Sequence, residues 1–453
     1  MKATMITELK EALNLDIYDI NYKLSSEKKA TVDKDRSFSE KGLPYWMYRM
    51  LLKSVREISK DVKHYFFSKK KLEKRKNLFF VNTDNQHDAI KSIEENLNNS
   101  FTCTAKSEKE KGMRINTGLA CLISLFYFPV VVEKYIQCDG YMRRSMKSAF
   151  AKYWLSYGAY VLVKKIVEEA DPRTVILSND HSMWPRLFLK ISHLKDVKTF
   201  FVQHASATKG RPPMELSIPL FEGRYSLNKY RINRSKVDKV YLIGMPRFDK
   251  YADEKRKITS IDRVGVCSNK FTSTSKIEDI IRKVVSIEDV DKIFYRPHPS
   301  ESTDDRLEFI DNKDVNFSDP KIESAFEFLT HVDTIISGDS NIILEASILN
   351  VPSIYFEFEN GLNDLYGFVE NEVSLHVCNV EKLPGVLEKC TGYSPRCECK
   401  FYSETIDTKY DGRSSELASS IIELESGYRS ERPEGLVVDG FVGDTDIPVI
   451  IPK

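Results

Sequence analysis

Phe294-Tyr295-Arg296-Pro297-His298-Pro299 and Thr334-Ile335-Ile336-Ser337-Gly338-Asp339-Ser340-Asn341-Ile342-Ile343-Leu344-Glu345-Ala346 are two blocks of one stretch, residues 293–356. In each block an apolar run ends abruptly in polar residues. The second block then predicts a helix over 341–349 and a further strand over 353–358. Strand, polar turn and helix in this order make a parallel α/β sheet whose strand ends carry a ligand site.

The same grammar extends in both directions. Towards the C-terminus it predicts helices over 381–389 and 413–424. Before the two blocks, it predicts a strand over 262–268 and a helix over 275–285, and between them a helix over 322–329. Further back, strands over 174–178, 199–203 and 239–243 end in Asn179-Asp180-His181, in His204-Ala205-Ser206 and in Gly244-Met245-Pro246. A helix over 184–193 links the first two. Residues 77–82 and 101–105 add strands around a helix over 84–96, and helices are predicted over 117–137 and 142–169. The chain divides into a helical lead (1–75), a first α/β domain (76–250), a second (258–425) and an extended surface tail (426–453). Two such domains face each other across a cleft, a favoured place for a ligand.

Composition sets the outer limits. The 453 residues are 41% apolar and 30% charged with a net charge of +1. No basic excess points to nucleic acid as a partner. The eight cysteines are scattered, and Cys397-Glu398-Cys399 has no second pair at ligand spacing. Reduced thiols in the cytoplasm are therefore expected. Residues 1–16 lack the apolar core of a signal peptide. The most apolar segment, 118–132, is shorter than the ~20 residues of a spanning helix and contains Pro129, so a buried helix is expected, with a monotopic membrane contact as the alternative. The basic run 69–75 reads as a solvated linker, or as a patch for lipid headgroups.

Several residues could carry chemistry. His298 stands between two prolines that fix φ on either side, and a stiff imidazole at a strand end suits an anionic ligand such as a diphosphate. Arg296 could add a guanidinium fork. Gly338 permits close backbone approach, and Ser337, Asp339, Ser340 and Asn341 form a small polar run ahead of a helix, suited to capping or to phosphate. Glu345, one turn on from Asn341, could accept from ribose hydroxyls. In the first domain Asp180, His181 or His204 could act as general base towards a hydroxyl, with helix capping or core packing as the plain structural roles. The basic loop 209–213 could cover an anionic acceptor, and 244–249 reads as a hinge. There is no Walker A loop, GxGxxG, HExxH or GxSxG motif, and no paired acidic metal motif at a strand end. A metal-independent mechanism without a cofactor is expected.

With these motifs in hand, the chain resembles bacterial glycosyltransferases of the GT-B kind. It is similar to the capsule and teichoic-acid group of CDP-glycerol glycerophosphotransferase-like enzymes and their polysialyltransferase and Kdo-transferase relatives. The resemblance rests on the RPHP block, the SGDSN block with its following strand, Val202-Gln203-His204-Ala205-Ser206, and Tyr410-Asp411-Gly412-Arg413. It implies two Rossmann-like domains, with the acceptor on the first and a CMP-, CDP- or UDP-linked sugar or polyol donor on the second. His298, Ser337 and Ser340 would contact the donor, and a glycan or lipid-linked glycan would be the acceptor, with a peripheral contact at the cytoplasmic face of the inner membrane. A nucleotide-sugar 2-epimerase of the same fold, or a non-catalytic scaffold of a capsule assembly complex, are the alternatives.

Overall fold

A computed structural model describes residues 43–65, 76–105, 112–207, 210–269, 272–299, 301, 315–358 and 362–453. The lead before residue 43, the basic run 69–75, most of the 107–114 loop, Lys209 and Asp304-Asp305 lie outside the described residues. In chain order the strands are β1 Asn77–Val81, β2 Ser100–Thr104, β3 Met113–Arg114, β4 Thr174–Leu177, β5 Lys198–Val202, β6 Ile218–Phe221, β7 Val240–Leu242, β8 Arg263–Cys267, β9 Lys292–Arg296, β10 Val315–Phe317, β11 Thr334–Ser337, β12 Ser353–Phe356, β13 Leu375–Val377, β14 Leu436–Phe441 and β15 Pro448–Pro452.

Two sheets result. The first runs β14-β15-β7-β6-β5-β4-β1-β2-β3 and the second β10-β9-β8-β11-β12-β13. Every pairing is parallel except that of β14 with β15. The inner strands are apolar without alternation because helices cover both faces. In β1, Leu78 and Phe80 pack to one side with Trp184 and Phe188, while Phe79 and Val81 pack to the other with Ile90 and Ile93. The architecture is GT-B-like, with two Rossmann-like parallel sheets. Their joint is aromatic: in the turn that leaves the first sheet, Tyr251 stacks on Phe326 with ring centroids 4.0 Å apart, and Phe248 meets the same ring edge-on at 4.7 Å.

Three expectations are corrected. Residues 426–453 are not a surface tail. They form the β14–β15 hairpin, and β15 extends the first sheet by pairing with β7. The helix expected at 413–424 is present as Ser414–Glu425, but it packs on the first domain: Leu417 and Ile421 share a core with Ile90 and Ile93. Its first turn is tied to the domain linker, since the Asp249 carboxylate accepts from the backbone N–H groups of Ser414 and Ser415 at 2.9 and 2.6 Å. Finally, the two long helices expected over 117–169 are four, Thr117–Phe126, Phe128–Gln137, Gly140–Ser148 and Phe150–Ala170. Pro129 starts the second, because it has no N–H for the preceding turn. Asp139 caps the third by accepting from Met142 N–H at 2.6 Å.

Candidate functional site

Parallel strands deliver their C-terminal ends to one edge, so each sheet has one polar rim. In the first domain β4 ends at Asn179-Asp180-His181. The Asn179 side-chain oxygen accepts from the N–H groups of His181 and Ser182, both at 3.0 Å. Asn179 thus turns the chain into the Met183–Leu194 helix, and neither Asp180 nor His181 is needed as a cap. Asp180 Oδ1 accepts instead from His181 Nδ1 at 2.9 Å. Burial alone would raise the Asp180 pKa, but the His181 hydrogen bond and the nearby charges of His181, Arg211 and Arg186 outweigh it and hold the carboxyl below its ordinary value. A carboxylate on Nδ1 fixes the tautomer and presents Nε2 as the accepting nitrogen.

β5 ends beside this pair. Burial, together with the charges of Arg211, His181 and Arg247, pushes the His204 pKa down to about 3, so its imidazole is neutral at physiological pH. Four buried atoms at these two strand ends have no hydrogen-bond partner: Asp180 Oδ2, His204 Nδ1, Ser178 Oγ and Ser206 Oγ. Unsatisfied buried polar atoms are costly, and such a cluster is what a ligand's polar groups would complete. The Arg211 loop, read from sequence as a candidate cover for an anionic acceptor, is packed at its arginine. Arg211 is buried, and its guanidinium donates to Tyr230 Oη at 2.7 Å.

In the second domain Ser268, at the end of β8, holds the histidine loop. Its hydroxyl accepts from His298 N–H at 3.2 Å and donates to Glu301 at 2.9 Å. His298 is partly exposed at the rim. Arg296 differs from expectation. It is buried, and its guanidinium donates to the Ser318 hydroxyl at 2.6 Å and the Glu323 carbonyl at 2.9 Å, so it braces β9. Ser337 is likewise buried and donates to the Cys267 carbonyl at 3.2 Å. Gly338 does permit close approach: a Cβ there would lie 2.8 Å from the Phe358 ring and 3.2 Å from Asn269 Nδ2. Asp339 anchors the following loop by accepting from Leu365 N–H at 2.8 Å and Asn363 Nδ2 at 3.0 Å. Ser340 Oγ accepts from Ile342 N–H at 3.5 Å, and Asn341 Oδ1 is buried without a partner.

The two rims meet through charges. Glu345 is driven by burial to a pKa of about 7, moderated by Arg247 and Arg296 and reinforced by Glu222. Arg247 and Glu222 belong to the first domain and form a buried ion pair. Arg247 therefore lies within electrostatic reach of His204 on one side and Glu345 on the other. Glu222 was missed from sequence because β6 was missed: Pro219 interrupts that run and argues against a strand. Arg247 was read as a hinge residue. A cavity of about 320 Å³, lined by none of these rim residues, opens between Tyr225, Asn228 and Lys229 of the first domain and Glu370, Asn371 and Phe401. Among the described residues no three His, Cys, Asp or Glu side chains are grouped to hold a metal ion.

The fold and this two-rimmed cleft define the GT-B class of architecture. No family model and no curated protein matches the sequence. Among solved structures, a UDP-N-acetylglucosamine 2-epimerase is similar at TM-score 0.51 and 14% identity, covering 80% of this chain and 99% of that one. A putative 2-epimerase from Listeria monocytogenes is similar at 0.51 and 10% identity, covering 80% and 98%. At these identities the likeness is one of fold. The wall teichoic acid polymerase TagF aligns at 0.49 and 14% identity over 86% of this chain and all of its own, a score too low to weigh.

Proposed function

We propose that the protein is an enzyme of surface-polysaccharide synthesis that transfers a sugar or polyol-phosphate unit from a nucleotide-activated donor to a glycan hydroxyl. The observation that carries this reading is the Asp180–His181 pair beside the neutral His204, with Asp180 Oδ2 and His204 Nδ1 both buried without a hydrogen-bond partner. In this reading His181 Nε2 takes the acceptor's hydroxyl proton, and Asp180 orients the ring and balances the imidazolium. The acceptor oxygen bonds to the transferred unit as the bond to the nucleotide phosphate breaks. His298, on its Ser268-held loop, and Arg247 face the charge that develops on the leaving phosphate. Glu345 and the backbone at Gly338 take the nucleoside.

The experiment is a thermal-shift panel of CMP, CDP, UDP and GDP, followed by a transfer assay with the stabilising nucleotide's sugars or polyols. Wild-type transfer with a loss of at least ~100-fold in His181→Ala and His298→Ala supports the reading. Near-normal turnover in either variant sinks the role of that residue. A second reading, a nucleotide-sugar 2-epimerase, is favoured by the two carboxyls of raised pKa at the cleft, Glu222 and Glu345, which suit proton chemistry on a bound sugar. Epimerised product formed from the donor without any acceptor would select it.

A further inference from the structure

Helix Leu43–Tyr65 has two faces with opposite tasks. Met50 and Ser54 are buried, and Glu57 pairs with Arg114 at 3.1 Å and accepts from Thr117 at 3.1 Å. That face is pressed onto helix Thr117–Phe126, where a Cβ on Gly118 would meet the Ile58 backbone nitrogen at 2.7 Å. On the other face Tyr48, Leu51, Leu52 and Val55, spaced i, i+3, i+4 and i+7, are 60%, 48%, 46% and 65% exposed. An apolar helical stripe normally faces a core, and this one faces solvent.

The neighbouring helices repeat the pattern. Leu119, Leu122 and Phe126 share one side of Thr117–Phe126 and are 42%, 37% and 85% exposed, while Ala120, Cys121 and Ser124 pack inwards. Thr117–Phe126 and Phe128–Gln137 together are as apolar as a membrane span but bend by 68° at their junction, and among the described residues no single helix is long and apolar enough to cross a membrane. Ile136, near the end of the second of these helices, is 65% exposed. Cations flank these apolar residues: Arg49, Lys53 and Arg56 alternate with the first stripe, and Arg143, Arg144 and Lys147 follow Ile136. Arg143 donates to the Ile136 and Cys138 carbonyls at 2.8 and 3.1 Å, so its charge sits at the C-terminal end of helix Phe128–Gln137. Among the described side chains, the exposed carboxylates on and beside these helices are Glu133 and Asp139, and Asp139 is used as a cap.

From this we infer that the outer face of the Leu43–Tyr65 and Thr117–Gln137 helices is a docking surface for an anionic lipid bilayer, with the helices lying in the interface plane. Charge selects this occupant. Exposed apolar side chains rimmed by Arg and Lys match acyl chains beneath anionic headgroups, whereas a second copy of the same face would set cation against cation. The inference stands apart from the transferase reading, because it concerns a face built from other elements.

The test uses the full chain and sedimentation with two kinds of vesicle, pure phosphatidylcholine and phosphatidylcholine with phosphatidylglycerol. Binding to the anionic vesicles is expected, weakened by high salt and much lower on pure phosphatidylcholine. Leu52→Glu/Val55→Glu is expected to weaken it about tenfold or more. Both residues are exposed, so the fold should survive, which a circular dichroism melt checks. No binding of the wild type to anionic vesicles overturns the inference without reference to any variant. So does a wild type that self-associates in solution, becomes monomeric in the double variant and ignores vesicles, which would make the face an interface between copies.

Discussion

Arg247→Met separates the two halves of the charge network. Glu222 is 2% exposed, and its ion-pair partner is Arg247. Removing one partner of a buried pair leaves an uncompensated charge, which costs about 3–5 kcal/mol while that charge persists. Glu222 can escape by taking up a proton. Burial already raises its pKa, and Arg247 is what restrains the rise. Without the arginine its folded pKa climbs further above the unfolded value of about 4.3. A carboxyl with a raised folded pKa contributes stability below the unfolded pKa and loses it as pH rises through the folded one. Glu345, also restrained by Arg247, moves the same way. The deficit of Arg247→Met is therefore expected to be about 1 kcal/mol at pH 5, where a neutral carboxyl has merely lost hydrogen bonds, and about 3 kcal/mol at pH 8. Adding Glu222→Gln should recover most of the loss at pH 8. Urea unfolding of the four proteins at both pH values measures this. A deficit equal at pH 5 and pH 8, or a double variant as unstable at pH 8 as the single, would refute the reasoning.

Three further outcomes are expected. His204 is neutral when folded because its pKa is lowered to about 3, so wild-type stability should fall as pH drops below about 6.5, and His204→Gln should flatten that fall by up to ~1.4 kcal/mol per pH unit in urea titrations from pH 7 to 4. Asp333 accepts from Arg256 and Arg263, each at 2.7 Å; burial raises its pKa, but these arginines more than offset it and lower it overall. Asp333→Ala should cost about 3 kcal/mol at pH 7, and the difference from wild type should shrink as pH falls from about 4, where the unfolded chain's carboxyl takes up its proton first, down through the lowered folded value. Gly338→Ala places a methyl 2.8 Å from the buried Phe358 ring, so urea unfolding should show a loss of about 1–3 kcal/mol and nucleotide affinity in the thermal-shift assay should drop as well; an unchanged stability would show that the ring yields freely.

Most of the fold was legible because its main signals are local. Apolar runs such as Asn77–Val81 and Lys198–Val202 are read as strands buried on both faces, and the polar residues after β4, β5, β9 and β11 mark one rim by the direction of parallel strands alone. The elements that escaped were those whose role is set by distant partners. β6 carries Pro219 yet pairs between β5 and β7, and β15 holds a place beside β7 that nothing in residues 448–452 announces. With β6 went Glu222.

By itself, then, the order of residues determined two parallel sheets, their polar rims and the candidates Asp180, His181, His204, His298 and Glu345, because periodicity and turn chemistry act over a few neighbouring residues. Tertiary structure decided what each candidate does. It paired Asp180 with His181, neutralised His204 by burial, turned Arg296 and Ser337 inwards as braces, and brought Arg247 and Glu222 to the Ile342–Ile348 helix that carries Glu345. Those roles depend on burial and on the field of charges from other elements, and neither is written in the spacing of a motif.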